Sequence, residues 1–107
     1  MGTLQYGSSL TEICISDHLL AHLKAVMVTR MRRSESFTLS WVDREGGAEK
    51  HSTVWVNPAI PLRFTFETVV PPPLDHELLE DLMTSSYQAT GIVLPAEAAH
   101  REPEVPR

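Results

Sequence analysis

From Ser36 to Val42 apolar and polar side chains alternate, Phe37, Leu39 and Trp41 against Thr38, Ser40 and Val42, which is the two-residue period of a strand buried on one face. Asp43 to Lys50, centred on Gly46-Gly47, is a polar turn, and alternation resumes at Thr53 to Val56, with Val54 and Val56 on one side and Thr53 and Trp55 on the other. A second turn, Asn57-Pro58-Ala59-Ile60-Pro61, leads to Leu62, Phe64 and Phe66 facing inward and Arg63, Thr65 and Glu67 facing outward. These runs predict a three-stranded meander.

Upstream, Leu4 to Tyr6 and Leu10 to Ile15 flank Gly7-Ser8-Ser9 and predict a hairpin, with Ile13 and Ile15 on one face and Glu12 and Cys14 on the other. Ser16 or Asp17 then caps a helix, with Ile15 and Leu20 placed as a hydrophobic staple. Over residues 19–33 a 100° spacing gathers Leu19, Leu20, Leu23, Val26, Met27 and Met31 into an arc of about 140°. Ala21, Ala25 and Val28 form a weaker opposite strip of small residues. Arg30 falls inside the apolar arc, where its stem is expected to pack while its head emerges at the helix end.

Downstream, Pro71-Pro72-Pro73 imposes an extended stretch and Asp75 caps a second helix with a stripe of Leu78, Leu79, Leu82 and Met83. Ile92-Val93-Leu94 reads as a short final strand. The prediction is one α+β domain over residues 1–94, two-layered, with a mostly antiparallel sheet, two helices on one face and the order β-β-α-β-β-β-α-β. Residues 95–107, rich in Ala, Glu and Pro without periodicity, are expected to form a disordered acidic tail.

The formal charge of −5 sits mostly in the second half, since residues 61–107 hold eight acidic and three basic side chains while residues 1–60 hold six of each. That balance argues against a dedicated duplex-DNA binder, whose affinity comes from neutralising phosphates. Cys14 is the only cysteine, so an internal disulfide and an all-cysteine metal site are excluded within one chain. No apolar segment approaches the ~18 residues of a membrane span, and Tyr6 occupies the place where a myristoylation motif at Gly2 needs Ser or Thr. A cytoplasmic protein without membrane attachment is expected.

Candidate chemistry is sparse. His18 and His22 share a helix face at metal-ligand spacing, but Leu19 stands where a metalloprotease helix carries its Glu, and no third ligand is assignable. Cys14 near these histidines is the one arrangement for a thiol nucleophile, set against the plainer reading of a small strand residue. Asp75, Glu77, Glu80 and Asp81 suit a helix start and its solvated face better than acid-base work. Gly46-Gly47 lacks the Lys and Ser or Thr of a phosphate loop. No catalytic residue, metal or cofactor is expected.

The surface with an argument behind it is the outward sheet face, Thr38, Ser40, Thr53, Trp55, Arg63 and Thr65, beside the basic helix end of Arg30, Arg32 and Arg33. Trp and Arg are preferred anchors of protein interfaces, and an aromatic on an open sheet also stacks bases. Alternatively, Trp55 is covered by the chain itself.

Met31-Arg32-Arg33-Ser34-Glu35-Ser36-Phe37, Ser40-Trp41, Ser52-Thr53-Val54-Trp55 and Pro58-Ala59-Ile60-Pro61-Leu62, with Met1-Gly2, Tyr6-Gly7 and Ala21-His22-Leu23, resemble the pattern of small actinobacterial proteins of similar length. The likeness covers residues 1–94. Many of those proteins carry an automatic label, ATP-dependent DNA ligase. Such a ligase needs a nucleophilic Lys in Lys-x-Asp-Gly, whereas the lysines here stand in Lys24-Ala25-Val26-Met27 and Lys50-His51-Ser52-Thr53. The resemblance implies at most an association with DNA transactions, and no ligase chemistry.

The expectation is therefore a non-catalytic binding module with Arg30, Arg32, Arg33, Trp55 and Arg63 as its contact set. Its partner is expected to be a protein or a second copy of the chain, with an accessory single-stranded nucleic-acid module as the alternative and a Cys/His enzyme as the least favoured reading.

Overall fold

A computed structural model describes residues 1–7, 11–45, 48–94 and 99–100. Its elements follow in the order β1 (Gly2–Tyr6), β2 (Thr11–Ile15), α1 (Asp17–Arg32), β3 (Phe37–Glu45), β4 (Ala48–Val56), β5 (Leu62–Thr65), α2 (His76–Ser86), β6 (Ile92–Val93) and β7 (Ala99–His100). The α+β class and the element order match the sequence reading, with β7 added. The rest of the expected tail, residues 95–98 and 101–107, lies outside the described residues, as does Gly46-Gly47.

The strands form two sheets rather than one, a four-stranded sheet ordered β5-β1-β2-β7 and a three-stranded sheet ordered β4-β3-β6. The meander is the expectation the structure overturns. β3 and β4 do pair antiparallel, with Thr38 opposite Trp55 and Ser40 opposite Thr53. β5, however, leaves them and pairs antiparallel with β1, setting Phe64 opposite Leu4 and Leu62 opposite Tyr6. The turn between β4 and β5 sends the chain across. Asn57 accepts the Ala59 amide on its side chain and the Ile60 amide on its carbonyl, while Pro61 O receives the amide of Gly7, at 2.9 Å in each case. Pro58 and Pro61 offer no amide to continue a ladder on β4.

Both sheets turn their apolar faces to α1. Leu4, Ile13 and Ile15 from one sheet and Phe37, Leu39, Trp41 and Val56 from the other join Leu19, Leu20, Leu23, Val26 and Met27 in one core, closed by Leu82, Ile92 and Leu94. Each fully buried Leu or Ile contributes roughly 1.5–3 kcal/mol relative to exposure, so the predicted helix arc is what joins the sheets. Of the two caps expected for α1 the structure uses Ser16, and Asp75 caps α2 as expected. Ser16 Oγ accepts the Leu19 amide at 3.3 Å, and Asp75 Oδ1 accepts the Glu77 amide at 3.0 Å.

Gly2 marks a close approach of sheet and helix, because a Cβ there would lie 2.5 Å from Leu20 Cδ2 and 2.7 Å from Thr65 O. Among the described residues no helix is long and apolar enough to cross a membrane.

Candidate functional site

On the outer face of the β4-β3-β6 sheet, strand alternation brings together Thr53 and Trp55 from β4, Thr38 and Ser40 from β3, and Val93 from β6. The Trp55 side of this face is open: Trp55 is 56% exposed and Val93 55% exposed. Ser40 and Thr53 satisfy each other, their hydroxyl oxygens 2.8 Å apart. Beneath the open ring the backbone is held, since the Tyr6 hydroxyl donates to the Trp55 carbonyl and ties β1 to the other sheet. Partial burial raises the Tyr6 hydroxyl above its ordinary pKa. Trp55 is therefore an exposed aromatic on a fixed strand, which loses little freedom when a partner covers it.

The arginines do not gather around this ring. Arg30 is only 5% exposed. Its Nε donates to Glu35 Oε1 at 2.8 Å, one terminal nitrogen donates to Ser86 O at 2.7 Å and Ser86 Oγ at 2.8 Å, and the other reaches Ser36 O at 3.3 Å. The guanidinium also lies 3.8 Å from the Tyr87 ring centroid and 5.3 Å from that of Phe37. The expected emerging head is thus a buried clamp joining the ends of α1 and α2 to the start of β3, and Arg30 leaves the contact set. Its position in the apolar arc was the sequence signal for this role, but Ser86 lies 56 residues away.

Arg33 is exposed and donates to the Tyr87 hydroxyl at 2.7 Å, which in turn donates to Glu35 Oε1 at 3.0 Å. Arg32 is exposed on another side of α1, over a groove beside residues 66–74. Arg63 is exposed on β5, opposite Gln5 in the four-stranded sheet, where Gln5 donates to Glu12 at 2.9 Å. The structure therefore divides the five predicted residues: Trp55 on one sheet, Arg63 on the other, Arg32 and Arg33 at the helix end, and Arg30 in the core.

The histidines are not a surface pair. His22 is fully buried, and its Nε2 accepts the Asp75 amide at 2.6 Å. That bond places the proton on Nδ1, which donates to His18 O at 2.6 Å. With both nitrogens engaged, His22 links α1 to the cap of α2 and has no lone pair left for a metal. Cys14 is buried on β2, in register with Thr3. Among the described residues no group of three His, Cys, Asp or Glu side chains could hold a metal ion.

Sequence reasoning missed two surface features. Tyr87, half-exposed, shares its hydroxyl between Arg33 and Glu35. Val69, Val70 and Leu74 also present bare apolar side chains. Their sequence signal was the run of prolines after two valines, which cannot be a ladder strand and so has no sheet in which to bury them.

A family model, Domain of unknown function (DUF7882), matches residues 1–97. The chain belongs to this family. The match spans every described element except β7, so the Trp55 face, the Arg30 clamp and the α1 groove are all features within the family domain. No curated protein and no solved structure matches the chain.

Proposed function

We propose that the chain is a non-catalytic binding module whose contact face is the outer side of the β4-β3-β6 sheet, with Trp55 as its anchor and a protein surface as its partner. The observation that supports this reading is the half-open indole held on a backbone already bonded to Tyr6. Exposed apolar Val93 and the Thr38 and Thr53 hydroxyls supply the mixed surroundings of such an anchor.

A protein is favoured over a single-stranded nucleic acid because the arginines expected to hold phosphates are not gathered beside Trp55. Arg30 is buried, Arg33 is engaged with Tyr87, and Arg63 lies on the other sheet. The ligase label of the resembling proteins adds only an association with DNA, and the Lys-x-Asp-Gly nucleophile is missing from this sequence. A cytoplasmic setting suits a chain with a single cysteine.

The test compares wild type with Trp55→Ala in three arms: sedimentation velocity over a concentration series, binding to a partner captured from extract and then purified, and titration of labelled oligothymidine at two salt concentrations. The reading expects protein association, with itself or the purified partner, to weaken at least ~30-fold in Trp55→Ala while the fold is retained. Steeply salt-dependent oligothymidine binding lost in Trp55→Ala would replace the protein partner with a single strand. Unchanged association in all three arms would remove the face from consideration.

A further inference from the structure

Along α1, the side away from the core carries Ala21, Ala25 and Val28, and residues 66–74 run beside it to enclose a groove of about 430 Å³. Phe66, Val69, Pro71, Pro72 and Leu74 form its wall. Val69 is 99% exposed and Leu74 53% exposed, so these two members of the wall are left open to solvent. The volume lies within the range of small-ligand sites, roughly 300–1,000 Å³. The helix strip from Ala21 to Arg32 runs about 16 Å at 1.5 Å per residue.

Two observations define what fits. The lining includes two cations, Lys24 and Arg32, and no carboxylate, and neither cation makes an ion pair among the described residues of this acidic chain. Lys24 Nζ stands 5.8 Å from the Phe66 ring centroid, at the rim. The Asp17 carboxylate, held near the N-terminal end of α1 by the amides of Thr68 at 3.1 Å and Glu67 at 3.4 Å, repels a second anion by its charge, which favours the Arg32 end.

The groove also offers little to a peptide backbone. Its floor is a helix whose amides are internally bonded, and Pro71 and Pro72 have no N–H to donate. A peptide laid there would lose water from amides that find few partners, a cost an alkyl chain does not incur. We propose that the groove binds a linear apolar molecule carrying one carboxylate, an acyl chain in chemical class, lying along α1 with its carboxylate at Arg32 and its chain passing Lys24, about two turns earlier on the helix. This site is separate from the Trp55 face, and either can fail without the other.

The test is an amide chemical-shift titration of the full chain with dodecanoate below its micelle concentration, beside dodecyltrimethylammonium as a cationic amphiphile of the same chain length. The expected result is saturable shifts at Ala21, Ala25, Val28, Thr68 and Val69 with dodecanoate alone. Affinity should fall on the order of tenfold when Lys24→Gln and Arg32→Gln are combined. Ala25→Leu, which fills the floor, should abolish the response. Both charge changes are on exposed side chains, so the double variant remains decisive if Ala25→Leu disturbs the fold. No saturable shift, equal affinity for the cationic amphiphile, or shifts centred on Trp55 and Val93 would each overturn the proposal.

Discussion

One terminal nitrogen of Arg30 donates to both the carbonyl and the hydroxyl oxygen of Ser86, at 2.7 and 2.8 Å, and so fastens the last turn of α1 to the last turn of α2. The same guanidinium also donates to Glu35 and Ser36 and lies near the rings of Tyr87 and Phe37. A buried cation with this many partners is costly to orphan or remove.

Arg30→Met is accordingly expected to destabilise the domain by about 2–3 kcal/mol, because Ser86 and Ser36 lose their donor and Glu35 its counter-ion. Thermal unfolding followed by circular dichroism should show Tm falling by roughly 10 °C or more, given ~4–8 °C per kcal/mol for a domain of this size. Arg32→Met, at an exposed site two residues along, should stay within about 0.5 kcal/mol of wild type. Equal effects at the two positions would contradict the clamp.

His22 offers a second contrast. Its replacement by Ala leaves the Asp75 amide without its acceptor and opens space in the core, at an expected cost of about 2–4 kcal/mol in urea unfolding. His18→Ala, on the exposed side of the same helix, should cost less than about 0.5 kcal/mol. Added zinc should leave the His22 ring resonances in place, since both nitrogens are occupied.

Two backbone positions predict changes of opposite sign. A Cβ at Gly91, where φ is +67°, would stand 2.0 Å from Thr38 Oγ1 and 2.4 Å from Thr38 O. Gly91→Ala should therefore cost at least about 2 kcal/mol and loosen β6 from β3, seen as faster amide exchange around Leu39 and Ile92. Ser34 holds φ +56° just beyond the Arg33 C-cap of α1, a conformation that suits glycine. Ser34→Gly should stabilise by roughly 0.5 kcal/mol and raise Tm.

Acid should act through Asp17. Burial on its own raises this carboxyl, but the amides of Thr68 and Glu67, the Thr68 hydroxyl and the amino terminus outweigh it and hold the group below its ordinary value of 3.8. A depressed folded pKa means that the stabilisation is fully present above that ordinary value and is lost as pH falls through the folded one. Stability measured by denaturant midpoint should drop below about pH 4 in wild type, and Asp17→Asn should show a shallower drop over the same range. An identical acid limb in the variant would show that this contact does not couple to folding.

The elements were legible along the chain because each obeys a local rule. The period of Phe37, Leu39 and Trp41 announced β3, the arc from Leu19 to Met31 announced α1, and the Ser16 and Asp75 caps placed both helix starts. These are short-range constraints of pleat, helical turn and amide satisfaction, visible within a few residues. The same alternation put Trp55 and Thr53 on the polar side of β4, but it left open whether the chain itself covers the ring, and the 56% exposure of Trp55 is a result of the folded structure.

Only the tertiary structure decided which edges meet and which charges stay outside. The Asn57–Pro61 segment reads locally as an ordinary turn, and only the contact of Pro61 with Gly7 and the pairing of Phe64 with Leu4, far away in the chain, put β5 in the other sheet. Arg30 and His22 share their helix with Lys24 and Arg32, yet the first two are buried because Ser86 and Asp75, more than fifty residues away, supply the bonds that make burial tolerable. Sequence specifies what each residue can do within its own turn or strand. The cost of burying a polar group depends on a partner brought close only when the whole chain has folded.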